Sequence, residues 1–321
     1  MKTAVFRPLA LAVALTAVVA SLAGCGARED SDPSTLTVGF VVDPSWAQIP
    51  VAQQDGYFAN HHVKVKVIDF STGVEALQAL AAHQVDVTTA ADVPTAAALT
   101  RTPTVRIVGD GSRWQGSRIV ARRSAGITSL RDLAGRSVGT PLGTSAAYFA
   151  SNALAHTDIT DKLVQVAPQA AVTAATQRNV DAISIFQPYQ AQVIAALGND
   201  AVELAGGSYS QHSLYLATDT AISGKSAALT AFFAALNDAS GQLTSRTPAA
   251  ISAVAAATQL SPDLIGKILP EFDYTLQLPP DLAQVLADQA RWAKMQGAVD
   301  PSVQLPDYGR LADGDFLPHG K

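Results

Sequence analysis

Leu36-Thr37-Val38-Gly39-Phe40-Val41-Val42, Val63-Lys64-Val65-Lys66-Val67 and Val85-Asp86-Val87-Thr88-Thr89 are three strand-like runs within one stretch of chain. The first is continuously apolar or β-branched, and the second alternates with period two, as a strand with one wet face does. Helical patterns separate them at Ser45–Phe58 and Gly73–Ala82, and Pro94–Arg101 followed by Val105–Gly109 continues the alternation. Strand and helix exchanging about every 20 residues is the mark of βαβ units and a mostly parallel sheet.

The pattern restarts at Ile119–Ala121. Strands are predicted at Ser137–Gly139, Leu163–Val166, Ala182–Phe186, Val202–Leu204 and Leu214–Ala217. Helical segments are predicted at Ser129–Ala134, Thr144–Ala155, Val172–Gln177 and Tyr189–Leu197. After Asp219 the chain turns helical, over Ser226–Ser245, Pro248–Thr258, Pro262–Leu269 and Pro280–Gln296, with prolines in first turns where a missing N–H costs least. Two α/β blocks and a helical return predict two lobes joined by crossings near Arg118–Arg122 and Leu214–Asp219. Lobe 1 is then 36–117 plus 219–321, and lobe 2 is 118–218.

The amino terminus reads as an export signal. Lys2 and Arg7 precede an apolar run, Leu9–Val19, that is too short to span a bilayer, and Leu22-Ala23-Gly24-Cys25 follows. This ending resembles a bacterial lipobox, with residues 1–24 as the signal and Cys25 as the lipidated new terminus. Residues 25–35 form a polar tether. Cys25 is the only cysteine, so an internal disulfide and any multi-cysteine metal site are excluded. The 321 residues carry a net charge of -5, with 48% hydrophobic and 15% charged residues. That balance fits a folded core and disfavours non-specific nucleic-acid binding.

Several segments in order resemble the nitrate/sulfonate/taurine group of ABC-transporter solute-binding proteins, which also includes thiamine-precursor binders. They are Gln53-Gln54-Asp55-Gly56-Tyr57-Phe58, Ala76–Asp86, the Ser124–Val138 stretch containing Gly126-Ile127-Thr128-Ser129-Leu130, the turn Pro141-Leu142-Gly143-Thr144-Ser145, Val180-Asp181-Ala182, and Phe186-Gln187-Pro188-Tyr189. His83 stands where that group usually has glycine. The resemblance implies a type II periplasmic-binding-protein fold, a small-molecule ligand between two lobes, a permease and ATPase as partners, and no catalysis, cofactor or metal. A monomer anchored by lipid to the outer face of the cytoplasmic membrane is expected.

Thr144 and Ser145 follow a Pro-x-Gly turn and open a helix, where free N–H groups and the helix dipole favour an anion; simple capping is the competing role. Relatives often carry an acid where this chain has Gln187, and a neutral amide there argues against a zwitterionic ligand. Gln187 and Tyr189 lie between a strand and a helix, where ligands collect. Ser45, Trp46, Thr72, Gly73, Val93 and Pro94 stand at corresponding ends of first-lobe strands, with Gly143 in the turn before Thr144. Trp46 and Trp114 are each either an apolar wall for an organic ligand or structural packing. Between Arg101 and Arg136, eight arginines face two aspartates, a net +6 within an acidic protein. Arg113 and Arg118 are expected to help attract an anion.

Other motifs fall short. Asp219–Ser226 lacks the first glycine of a phosphate loop, and Gly143–Ala147 lacks the last glycine of a nucleophile elbow. The clustered histidines and cysteines of the fungal pyrimidine synthase that shares this architecture are missing. The sequence therefore predicts an ABC-importer binding lipoprotein for a sulfonate-like anion. A neutral heteroaromatic such as a pyrimidine, or a surface sensor role, is the alternative.

Overall fold

Eleven strands form two sheets in the computed structural model, which describes residues 32–160 and 162–318. The stretch read as an export signal, Cys25 and most of the expected tether lie outside the described residues. In the first sheet are β1 (Thr35–Val41), β2 (Lys64–Phe70), β3 (Val87–Ala91) and β4 (Val105–Trp114). The second holds β5 (Ile119–Arg122), β6 (Val138–Thr140), β7 (Leu163–Gln165), β8 (Ala182–Ser184) and β9 (Ala201–Leu204). β10 (Gln211–Thr218) and β11 (Phe272–Asp273) return to the first. The strand orders are β11-β4-β10-β3-β1-β2 and β7-β6-β8-β5-β9.

The predicted βαβ units supply the parallel pairs: β1 with β2 and β3, and β6 with β7 and β8. Strands beside the crossings pair antiparallel, namely β10 with β3 and β4, and β5 with β8 and β9, so each sheet is mixed.

Two connections join the sheets. The first runs through residues 115–118, because β4 continues five residues past Gly109. The second runs through 205–210, because β10 begins at Gln211. Leu214–Asp219, expected to be a crossing, is the buried middle and end of β10 and the helix start beyond it. The polar Gln211-His212-Ser213 start reads as a loop, yet it is buried, with the His212 and Ser213 N–H groups and the His212 ring paired. The His212 N–H donates to Asp92 (3.3 Å), His212 Nδ1 meets Asp110 (2.7 Å), and the Ser213 N–H donates to Asp110 (3.1 Å).

The Ser45–Phe58 segment is also not one helix. Pro44–Trp46 is a 3-10 turn, Gln48–Gln54 a helix, and Tyr57–Asn60 a separate helical turn after Gly56 at φ 74°. This turn holds Ser45 and Trp46 at the carboxyl end of β1.

Ser226–Thr244 places Phe232 and Phe233 against Tyr215 of β10, with all three rings buried and edge to face. Leu282–Met295 packs on Asp92–Ala98. Thr247 and Ser261 cap the helices that Pro248 and Pro262 open.

β4 bulges against β10 at Gly111, whose neighbours Asp110 and Ser112 pair with Leu214 and Ser213. A Cβ on Gly111 would stand 2.5 Å from the Tyr215 ring. Gly111→Ala is expected to cost about 1–3 kcal/mol by overpacking, read as a lower Tm in circular dichroism. An unchanged Tm would mean that β4 and β10 can separate without loss.

Candidate functional site

The strand ends of the two sheets enclose one narrow cavity. Its first-sheet walls include Val41, Asp43, Trp46, Gly73, Ala91 and Pro94, while Thr144, Ser145 and Phe186 come from the second-sheet side. Gln211, the first residue of β10, completes it. The volume is about 20 Å3, room for about one water.

Gly143, at φ 76°, turns the chain into the helix Ser145–Ala155. The Thr144 hydroxyl does not cap that helix but donates to the Pro141 carbonyl at 2.6 Å. The first-turn N–H groups therefore have no side-chain cap, and they start at a cavity wall. A helix start in this state suits an anion or a carbonyl.

On the opposite wall Asp43, two residues beyond the end of β1, caps the Pro44–Trp46 turn, its Oδ1 accepting from the Ser45 N–H at 2.7 Å. Burial pushes its carboxyl up to about 7, against the opposing pull of hydrogen bonds from the Ser45 N–H and hydroxyl. Trp46 is anchored by its indole N–H to the Leu214 carbonyl at 3.2 Å, so its ring is a fixed wall.

Of the residues singled out in the sequence, Trp46, Gly73, Pro94, Thr144 and Ser145 thus share this cavity. Others stand behind or beside it. Ser45 is buried, with its carbonyl accepting from the Ser112 hydroxyl at 2.7 Å. Thr72 caps the helix Gly73–Ala81 by accepting from the Glu75 N–H. Val93 packs with Ala147 and Trp292. Gly143 borders a neighbouring groove of about 320 Å3. Gln187 is held by Ala191 N (3.2 Å) and Glu271 (3.3 Å), and half-buried Tyr189 meets Phe186 edge to face.

Trp114 does not line the cavity. It is buried, stacked on Phe272 at 5.7 Å, and donates to Glu271 at 2.8 Å. β4 runs on to this residue, which places it inside the sheet instead of in an exposed connection. Arg113 is spent on Asp110, Asp273 and the Thr275 carbonyl. The Arg118 guanidinium contacts only the carbonyls of Gln115 and Ser117. Arg122, in the same basic run, is buried and bonded to the carbonyls of Ala175 and Val180.

Sequence reading missed Asp43, Gln211, Val41, Ala91 and Phe186. The position of Asp43 immediately after β1, at the same strand end as Ser45 and Trp46, was the available signal. Behind the cavity, Asp92 accepts from the Val93 and His212 N–H groups, the Tyr209 hydroxyl and Gln289. Burial raises its carboxyl as well, with His212 and these hydrogen bonds opposing. Among the described residues, no group of three or more His, Cys, Asp or Glu side chains is placed to hold a metal, and no helix is long and apolar enough to cross a membrane.

Asp43→Asn keeps an acceptor for the Ser45 N–H while removing the buried charge. A raised native pKa favours the folded state while the native carboxyl alone is protonated, so wild-type stability from this group should fall from about pH 4 to pH 7, by about 4 kcal/mol in all. Urea melts across pH 4–8 should show the variant gaining on wild type over that window. Parallel curves would contradict the buried, unpaired state of Asp43.

Residues 43–250 match the model of the NMT1/THI5-like family. A Bacillus subtilis (strain 168) protein named for aliphatic-sulfonate binding is 28% identical over 191 residues, covering 55% of this chain. The chain spans about half of that relative's length, 56%. The periplasmic aliphatic sulphonate binding protein SsuA of Escherichia coli superposes with a TM-score of 0.74 at 20% identity, over 87% of this chain and 97% of that one. The alkanesulfonate-binding SsuA of Xanthomonas axonopodis pv. citri, bound to MOPS, gives 0.75 at 19% identity, over 88% and 99%. The desulfurization enzyme DszB has the same fold, at 0.66 and 15%, over 88% and 97%. These similarities establish the periplasmic-binding-protein fold.

Proposed function

Starting from the NMT1/THI5-like family, to which this chain belongs, we propose that it is an extracytoplasmic solute-binding lipoprotein of an ABC importer that takes a sulfonate-like organic anion. The observation that carries this reading is the uncapped start of the helix Ser145–Ala155 at a cavity walled by both sheets. The N–H groups of Ser145, Ala146 and Ala147 donate to the anionic oxygens. Trp46 covers the apolar part. The sulfonate-binding names of the relatives and the MOPS bound to one of them support this ligand class.

In this reading one lobe is built on β1–β4, β10 and β11 with the carboxyl-terminal helices, and the other on β5–β9. Residues 115–118 and 205–210 are the hinge. An alkanesulfonate is far larger than one water, so the ligand enters an open form and closure follows, a population shift toward the state that fits it better. Opening separates Tyr148 from Trp292, now edge to face at 5.3 Å, and Gln169 from Ser71, now at 2.7 Å. Arg118, which meets no carboxylate among the described residues, adds positive field at the hinge. The protein is read as non-catalytic, because His212 is committed to Asp110 and, among the described residues, no histidine is hydrogen-bonded to Ser145. A monomer is expected, docking on a permease and its ATPase. The lipobox-like Leu22–Cys25 segment supports a lipid anchor on the outer face of the cytoplasmic membrane.

Ser145→Asp puts a like charge where the anion sits but suits a helix start. Calorimetry with ethanesulfonate should show at least a hundredfold loss of affinity in a folded protein. Unchanged binding would remove this helix from the site. Cys25→Ser should move the protein from the membrane to the soluble extracytoplasmic fraction, and continued membrane association would rule out anchoring through that residue.

A further inference from the structure

Three buried carboxylates stand near the strand ends, and their partners differ. Asp92 has four donors, and Asp110 has His212, Arg113 and the Ser213 N–H. Asp43, 3% exposed, has only Ser45. No Lys, Arg or His pairs with it among the described residues, although a buried charge ordinarily needs a partner. It is also the one of the three that lines the cavity.

A second acceptor lies beside it. Gln211 lines the same cavity, is 2% exposed, and donates through Nε2 to Ser45 Oγ at 3.3 Å. The Ser45 hydroxyl donates to the Asp43 carboxylate, so the Gln211 amide must be the donor to Ser45. That order leaves Gln211 Oε1 buried and without a partner.

We propose that Asp43 and Gln211 form an acceptor pole in the cavity that receives an N–H donor of the ligand, above all a positively charged nitrogen. This rests on the ligand-cavity reading above and narrows the ligand to one with a nitrogen donor as well as a group for the helix start. A ligand nitrogen would pair the Asp43 charge and satisfy Gln211 Oε1 in one step. The neutral Gln187 argued against a zwitterion, but the carboxylate that suits one comes from the end of β1 instead. The titratable groups coupled to Asp43 are Tyr189 and Tyr274, both held protonated by burial and by the Asp43 charge. Below neutrality Asp43 takes a proton and the pole loses its charge.

The test is calorimetry on the full mature protein with two matched pairs, ethanesulfonate against taurine and pyrimidine against 4-aminopyrimidine. In at least one pair the nitrogen donor should bind tenfold or more tightly at pH 8, and Asp43→Asn should abolish the preference. Taurine, if it is that ligand, should gain up to about tenfold in affinity from pH 6 to pH 8 as Asp43 ionises, while ethanesulfonate weakens. This pH comparison needs only the wild-type protein, should the variant fold poorly. The proposal is overturned if neither donor is preferred, if the preference survives Asp43→Asn, or if no nitrogen-bearing probe binds. Ethanesulfonate binding with no preference sinks only this inference. 4-Aminopyrimidine preferred with no sulfonate binding sinks the sulfonate reading and leaves the acceptor pole standing.

Discussion

The insertion of β10 between β3 and β4 is the constraint on which the rest depends. All eight of its residues are buried, and it pairs antiparallel on both sides. To lay this strand there, the chain must leave the first sheet after β4, build the second, and come back. Helix Ser145–Ala155 is thereby brought to the carboxyl end of β1, and Gln211 arrives at the same place as the first residue of the return strand. The cavity is a consequence of that path: its walls are strand ends that a simple run of βαβ units would not gather.

Burying the polar start of β10 has an electrostatic cost that the neighbouring carboxylates offset. His212 sits against Asp110 at 2.7 Å, and its imidazole is raised: burial pulls it down, but the hydrogen bond and charge of Asp110, with Asp92 adding to them, outweigh that. Asp92 ties β3, Tyr209, Gln289 and β10 together. In these networks each carboxylate is met by several donors. Asp43 and Gln211 belong to the same layer but are left open, on the side where the cavity lies. The fold thus satisfies two of three buried carboxylates internally and leaves the third facing the cavity.

Much of this architecture was legible in the chain. β-branched runs located β1, β2 and β3, the proline-led segments located three of the late helices to within two residues, and Pro141–Ser145 located the helix that opens on the cavity. What stayed hidden was set by pairing across distance. Gln211-His212-Ser213 looks like linker until Asp92 and Asp110 are seen to receive its groups. Trp114 looks exposed until β4 is known to run past Gly111, where a bulge and a missing side chain make space for Tyr215. Asp43 reads as an ordinary residue before proline, and apart from its place beside Ser45 and Trp46 what marks it out is that no cation among the described residues pairs with it. The basic run reads as a field at the cleft mouth, yet Arg113 is absorbed by Asp110 and Asp273, and Arg122 by carbonyls.

The central claim is that the start of helix Ser145–Ala155 and the turn after β1 face one bound solute. Backbone hydrogen exchange with and without a saturating alkanesulfonate reads both places at once. The account predicts slowed exchange at Ser145, Ala146 and Ala147 together with Ser45 and Trp46, and little change in β7 or at the far edge strand β2. Protection confined to another surface, or none at the helix start while the sulfonate is bound, would contradict it.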